Sequence, residues 1–185
     1  MARPRATRIA GAALAFAVCA CGSTAPTAVA LATPSPTATA VVNGPSGLDP
    51  CLVGTWKSVA ISGRLTVGGA GVALRGGAGE VLTVAATGAV HSDDSATAPV
   101  TGAALDGTTY ELAQTGSGTG TITSAAGKVT IALDRPNSVT VTLYRNGSPV
   151  QSQHPGSAND AYLCTPRTAL VLTSAAGTVI SYSPG

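Results

Sequence analysis

Side chains able to carry chemistry are sparse in this chain of 185 residues, with eight carboxylates, two histidines and four cysteines. The densest polar constellation is His91-Ser92-Asp93-Asp94. One imidazole and two carboxylates suit a hard or borderline cation. A metal site needs more ligands than this, and His154 is the only other histidine. The constellation reads instead as a solvated strand end with an Asx turn. The glycine-rich stretch Gly68–Gly79, with Arg75, could cradle an anion, but no helix N-terminus follows to add its dipole. It reads as a loop between short strands. A Ser-His-Asp set can be assembled on paper, yet no motif orients one. The H-E-x-x-H, G-x-S-x-G, P-loop and dinucleotide patterns are all missing from the sequence. No catalytic residue, metal or cofactor is therefore assigned, and the expectation is a non-catalytic protein. Asn146-Gly147-Ser148 matches a glycosylation sequon, but a hairpin turn is the better reading.

The cysteines open a different chemistry. The chain begins MARPRATRIAGAALAFAVCACGS, with Arg3, Arg5 and Arg8 ahead of an apolar stretch from Ile9 to Val18. Basic, apolar and small-residue segments in this order make a secretory signal over residues 1–20. About ten apolar residues are too few to cross a hydrocarbon core ~30 Å thick. Val18-Cys19-Ala20-Cys21 resembles the bacterial lipobox, although Cys19 stands where Ala, Ser or Thr is usual. The resemblance implies that Cys21 becomes the N-terminus and carries palmitate-class acyl chains. That would place the protein on the extracytoplasmic face of the cell membrane, since each buried CH₂ of the anchor contributes ~0.8 kcal/mol. Plain secretion, with cleavage near Ala20 or after Ala30 or Ala32, is the alternative. With Cys19 lost in the leader and Cys21 lipidated, Cys51 and Cys164 remain as one pair. Outside the cytoplasm they are expected to form a disulfide rather than two free thiols.

Charge belongs mostly to the leader. Lys and Arg number 10 against 8 Asp and Glu; without the three leader arginines the balance is 7 against 8. Such a domain has no electrostatic footprint for nucleic acid. Only two Glu, two Lys and one Met occur in the whole chain, which excludes a coiled coil and argues against a helical bundle. Residues 21–47 form the expected lipidated terminus and tether: of the 26 residues in 22–47, 21 are Ala, Thr, Pro, Ser or Gly and none is charged. Such a stretch cannot bury enough apolar surface to fold.

Residues 48–185 are expected to be one all-β domain, a small antiparallel barrel with a sandwich as the alternative. Strand-like runs recur about every 8–12 residues from Gly54–Ser62 to Thr178–Tyr182. Thr87-Gly88, Asp106-Gly107, Ala126-Gly127, Asn146-Gly147 and Ala176-Gly177 stand between them as turn signals. Val129, Ile131 and Leu133 alternate onto one face, as do Val139, Val141 and Leu143.

The opening Cys51-Leu52-Val53-Gly54-Thr55-Trp56 resembles lipocalin-like, calycin-type domains of actinobacterial lipoproteins. The resemblance extends to Tyr162-Leu163-Cys164 and Leu170-Val171-Leu172 near the end. It implies a closed antiparallel barrel with Gly54, Thr55 and Trp56 at the first strand and the Trp across one barrel end; it implies no particular ligand. Two functional expectations arise. One is a membrane-tethered barrel binding a small apolar ligand or an envelope component. The alternative is a structural or protein-interaction domain with a filled core. Interior volume separates them.

Overall fold

The computed structural model describes residues 47–67 and 69–185, and all of its regular structure is β apart from one 3-10 turn, Pro50–Leu52. Thirteen strands make up the rest: β1 Gly54–Val67, β2 Ala70–Gly76, β3 Val81–Val84, β4 Ala89–Asp93, β5 Val100–Ala103, β6 Thr109–Thr115 and β7 Ser117–Ala125, then β8 Lys128–Leu133, β9 Thr140–Arg145, β10 Ser148–Gln153, β11 Ser157–Thr165, β12 Ala169–Ser174 and β13 Val179–Pro184. The expected signal peptide, Cys21 and nearly all of the expected tether lie outside the described residues.

Each of the five turn signals closes a hairpin: β3–β4, β5–β6, β7–β8, β9–β10 and β12–β13. Two of them show why glycine comes second in its pair. Ala126 and Gly127 have φ of 49° and 74°, and Asn146 and Gly147 have 49° and 76°. Two successive left-handed residues give the turn whose twist matches that of the flanking strands. Asn146-Gly147-Ser148 is thus a hairpin tip.

Eight strands close a barrel through antiparallel pairing in the order β1, β13, β12, β11, β8, β7, β4, β3 and back to β1. Their inner faces carry alternating residues. In β7 the buried positions are Gly118, Gly120, Ile122 and Ser124, with exposed residues between them. The barrel core joins Leu48, Leu52, Trp56, Leu82, Val84, Val90, Ile122, Val129, Leu170, Leu172 and Tyr182.

The expected antiparallel barrel is present, and the remaining five strands extend it. They continue from β1 as a sheet in the order β1, β2, β5, β6, β9, β10. β1 makes this possible because it is long and changes partner. Gly54–Lys57 pair with β3, and Ile61–Val67 pair with β2. The exchange falls where the pairing of β1 with β13 shifts register, between Ser58 and Ala60. A bulge kinks a strand and re-aims the residues beyond it. The expected first run, Gly54–Ser62, is therefore only the beginning of one longer strand that continues to Val67. The stretch expected as a glycine-rich loop is largely strand β2, and its residue 68 lies outside the described residues.

The extended sheet consists of three hairpins, β1–β2, β5–β6 and β9–β10, whose tips share one end. Register places them there: Val67 faces Ala70, Ala103 faces Thr109, and Tyr110 faces Arg145 beside the Asn146-Gly147 turn. The Thr109 amide donates to Asn146 Oδ1 at 2.9 Å, tying two tips together. Ile61, Val72, Leu74, Val100 and Tyr110 form this sheet's own core, and Ile180 packs against both cores. Besides β1, five connections run between barrel and hairpins, at 77–80, 94–99, 116, 134–139 and 154–156. All five lie at the barrel end opposite the 3-10 turn.

Candidate functional site: the two ends of the barrel interior

At the first end, the 3-10 turn forms a lid. Asp49 caps the turn by accepting from the Cys51 amide at 2.9 Å, and its second carboxylate oxygen accepts from the Tyr162 hydroxyl at 2.8 Å. The Asp49 amide donates to Ser124 Oγ at 2.7 Å. These bonds hold Leu48 and Leu52, at 2% and 0% exposure, over the barrel mouth. Trp56 lies beneath, and its indole N–H donates to the Leu52 carbonyl at 2.9 Å. A buried indole needs such a partner. Gly54 opens the strand at φ 146°, and Thr55 points outward, its carbonyl accepting from the Gly185 amide at 2.9 Å. Cys51 and Cys164 are joined in a disulfide, with Cα atoms 6.1 Å apart, which fastens the lid to β11.

The middle of the barrel is filled. The inward side chains Trp56, Leu82, Val84, Val90, Ile122, Val129, Leu170 and Leu172 expose between 1% and 3% of their surface. Ile131, Leu133 and Ile180, on the same inner face, are partly buried. Two open grooves lie on the outer surface instead. One, of about 460 Å³, runs past His91, Thr119 and Asn137; the other, of about 380 Å³, lies against Val59, Ile61, Arg75 and Ala98.

The second end is polar, and its arrangement was not read from the sequence. Glu80, just ahead of β3, is 8% exposed, and Asp94, just after β4, is 2% exposed. Ser92 Oγ lies 3.3 Å from Glu80 Oε1 and 3.3 Å from Asp94 Oδ2. The Tyr182 hydroxyl donates to Glu80 Oε2 at 3.0 Å, and Thr97 Oγ1 donates to Asp94 Oδ1 at 3.4 Å. Burial pushes the Glu80 carboxyl up to about 7; the Asp94 charge adds to this, and the bonds from Tyr182 and Ser92 oppose it. Burial likewise raises Asp94, against its bonds from Ser92 and Thr97. Burial and the adjacent Glu80 raise the Tyr182 hydroxyl well above its ordinary range. Asp160, on β11, is raised by burial alone.

The His91-Ser92-Asp93-Asp94 constellation is therefore split by strand alternation. Asp93 makes the expected Asx turn, accepting from the Ser95 amide at 2.9 Å, and His91 is exposed. Ser92 and Asp94 turn inward, which corrects the reading of the whole segment as solvated. Among the described residues, no group of three His, Cys, Asp or Glu side chains converges as a metal site would require. No family model matches the chain, and neither curated proteins nor solved structures match it.

Proposed function

We propose that this is a non-catalytic, membrane-tethered extracytoplasmic protein, anchored through Cys21, whose domain presents the three-hairpin sheet to a protein or envelope partner. The filled barrel interior carries this reading. A ligand carrier of the lipocalin type needs a concave apolar pocket of several hundred Å³, whereas the inward side chains around Trp56 are buried against one another. Direction adds support. The described domain begins at the lid, where the tether would join, and β1 runs from that end to the hairpin tips. At one tip Leu105 is fully exposed, at 110% of its reference surface. An apolar side chain held out at a turn loses favourable burial in the free protein and regains it on contact with a partner.

Native mass spectrometry of the intact chain, extracted in detergent from its own host, tests the reading. The expected species begins at Cys21, carries covalent acyl mass and the disulfide, and retains no non-covalent small molecule. Cys21→Ser should lose the acyl mass. A stoichiometric bound molecule released on denaturation would restore the apolar-ligand reading, and an unacylated wild-type chain would remove the anchor.

A further inference from the structure

One hydroxyl stands between two buried carboxyl groups at the joint where the hairpin sheet leaves the barrel. Ser92 Oγ is 3.3 Å from both Glu80 Oε1 and Asp94 Oδ2. A serine hydroxyl carries a single hydrogen and can donate to only one of them. The other contact becomes a hydrogen bond only if that carboxyl carries a proton and donates to Ser92 Oγ. With neither protonated, a carboxylate oxygen would face a hydroxyl lone pair inside the protein, which is costly. One proton held by the pair would turn both contacts into hydrogen bonds. Like charges this close cannot both ionise cheaply, because each disfavours the other's charged form.

Among the described residues, the groups that shift Glu80 and Asp94 supply no positive charge. From β13 comes the Tyr182 hydroxyl; from β4, Ser92 and, facing outward, Asp93 and His91; from the 94–99 connection, Thr97; from β11, Asp160, whose charge acts on Tyr182. The groups shifting Glu80 are Asp94, Tyr182 and Ser92, and none is a cation.

Both carboxyls belong to segments that hold the joint closed. The Glu80 amide donates to Ser58 Oγ at 2.9 Å, and Ser58 Oγ donates to the Gly77 carbonyl at 2.8 Å. The Ser58 amide donates to the Glu80 carbonyl at 2.8 Å, and the Gly79 amide donates to the Ser58 carbonyl at 3.0 Å. Asp94 begins the facing connection, whose Ala98 amide donates to the Ala78 carbonyl at 2.7 Å while the Gly77 amide donates to the Pro99 carbonyl at 3.3 Å. These bonds span the gap in β1 pairing at the Ser58 bulge. Gly79 fits here because a Cβ on it would strike the Ala96 carbonyl.

We propose that Glu80 and Asp94 share one proton that latches the joint between barrel and hairpin sheet, and that release of this proton to solvent loosens the 77–80 and 94–99 connections. The latch is closed in acidic surroundings and opens as the medium becomes alkaline. It stands whether or not the hairpins meet a partner. Linkage sets the sign: a group that holds its proton more tightly when folded stabilises the fold below its unfolded value of 4.5, and this contribution is lost as pH rises through about 7. The exposed acids Asp93 and Asp106 are shifted the other way, so they do not oppose the trend above about pH 5.

The test is amide hydrogen exchange on the full chain at about pH 6 and about pH 8, corrected for the intrinsic pH dependence of exchange, with denaturant unfolding in parallel. In the wild type, protection of the Gly77, Gly79, Glu80 and Ala98 amides should fall selectively at the higher pH, and the folding equilibrium constant should drop about tenfold. Glu80→Gln should flatten both responses and be the more stable chain at about pH 8. Asp94→Asn should do the same, and serves if the first variant folds poorly. Equal protection of these amides at both pH values would overturn the latch, as would an unchanged pH response in both variants.

Discussion

Replacing Cys51 and Cys164 together by serine is expected to cost about 4–5 kcal/mol. The bridge spans 113 residues of sequence, and closing so long a loop removes much of the unfolded chain's freedom. The folded state suffers as well. The bridge fastens the lid whose Leu48 and Leu52 cover the Trp56 end of the barrel, and without it the lid keeps only its packing and the hydrogen bonds of Asp49 with Tyr162, Cys51 and Ser124 and of Leu52 with Trp56. Domains of this size have total stabilities of about 5–15 kcal/mol, so the double variant should be near its folding limit at physiological temperature. Denaturant midpoints for wild type and double variant give the difference. A loss below about 1 kcal/mol would show that the lid contributes little and that the unfolded chain is already compact.

Trp56→Ala is expected to cost about 3–5 kcal/mol, as large-to-small changes do in a well-packed core. Trp56 is buried against the lid and against residues from several barrel strands, so the cavity could not easily collapse. Its loss also leaves the Leu52 carbonyl without the indole donor. Trp56→Phe separates these effects: it keeps most of the apolar volume and removes the hydrogen bond, and should cost roughly 1–3 kcal/mol. If the Ala and Phe variants unfold at the same midpoint, packing at this position is not what holds the barrel end together.

The local grammar of this fold is plain in its residues. Asp106-Gly107, Asn146-Gly147 and the Ala-Gly pairs mark hairpins because they tolerate left-handed backbone, and each one turns the chain where expected. The cysteine pair was legible by arithmetic. What stayed hidden is long-range. Nothing in the alternation of Gly54–Val67 reveals that its first half belongs to a barrel and its second half to a hairpin sheet, because pairing partners are set by distant strands. A short, polar Ser58 between apolar Trp56 and Ile61 marked the place, and its meaning emerges only with Gly77 and Glu80 beside it. The buried acids were half legible. Val90, Ser92 and Asp94 alternate onto one face, as do Glu80, Leu82 and Val84, so parity with buried valines would have turned both carboxylates inward. General expectation about acids argued the other way, since they are seldom buried without a partner. Here the partner is a second carboxyl and a proton.

Site-specific photo-crosslinking on intact host cells tests the central claim most directly. A photoreactive side chain replaces Leu105 at the hairpin tip in one chain and Leu163 on the barrel wall in another; both positions are exposed, at 110% and 76%. Neither residue belongs to either buried core, so both chains should fold. If the barrel is a filled pedestal and the hairpins make the contact, Leu105 gives a discrete adduct with an envelope component and Leu163 gives none. A discrete adduct from Leu163 with none from Leu105 would contradict the account, and would move the contact surface from the hairpin tips to the barrel itself.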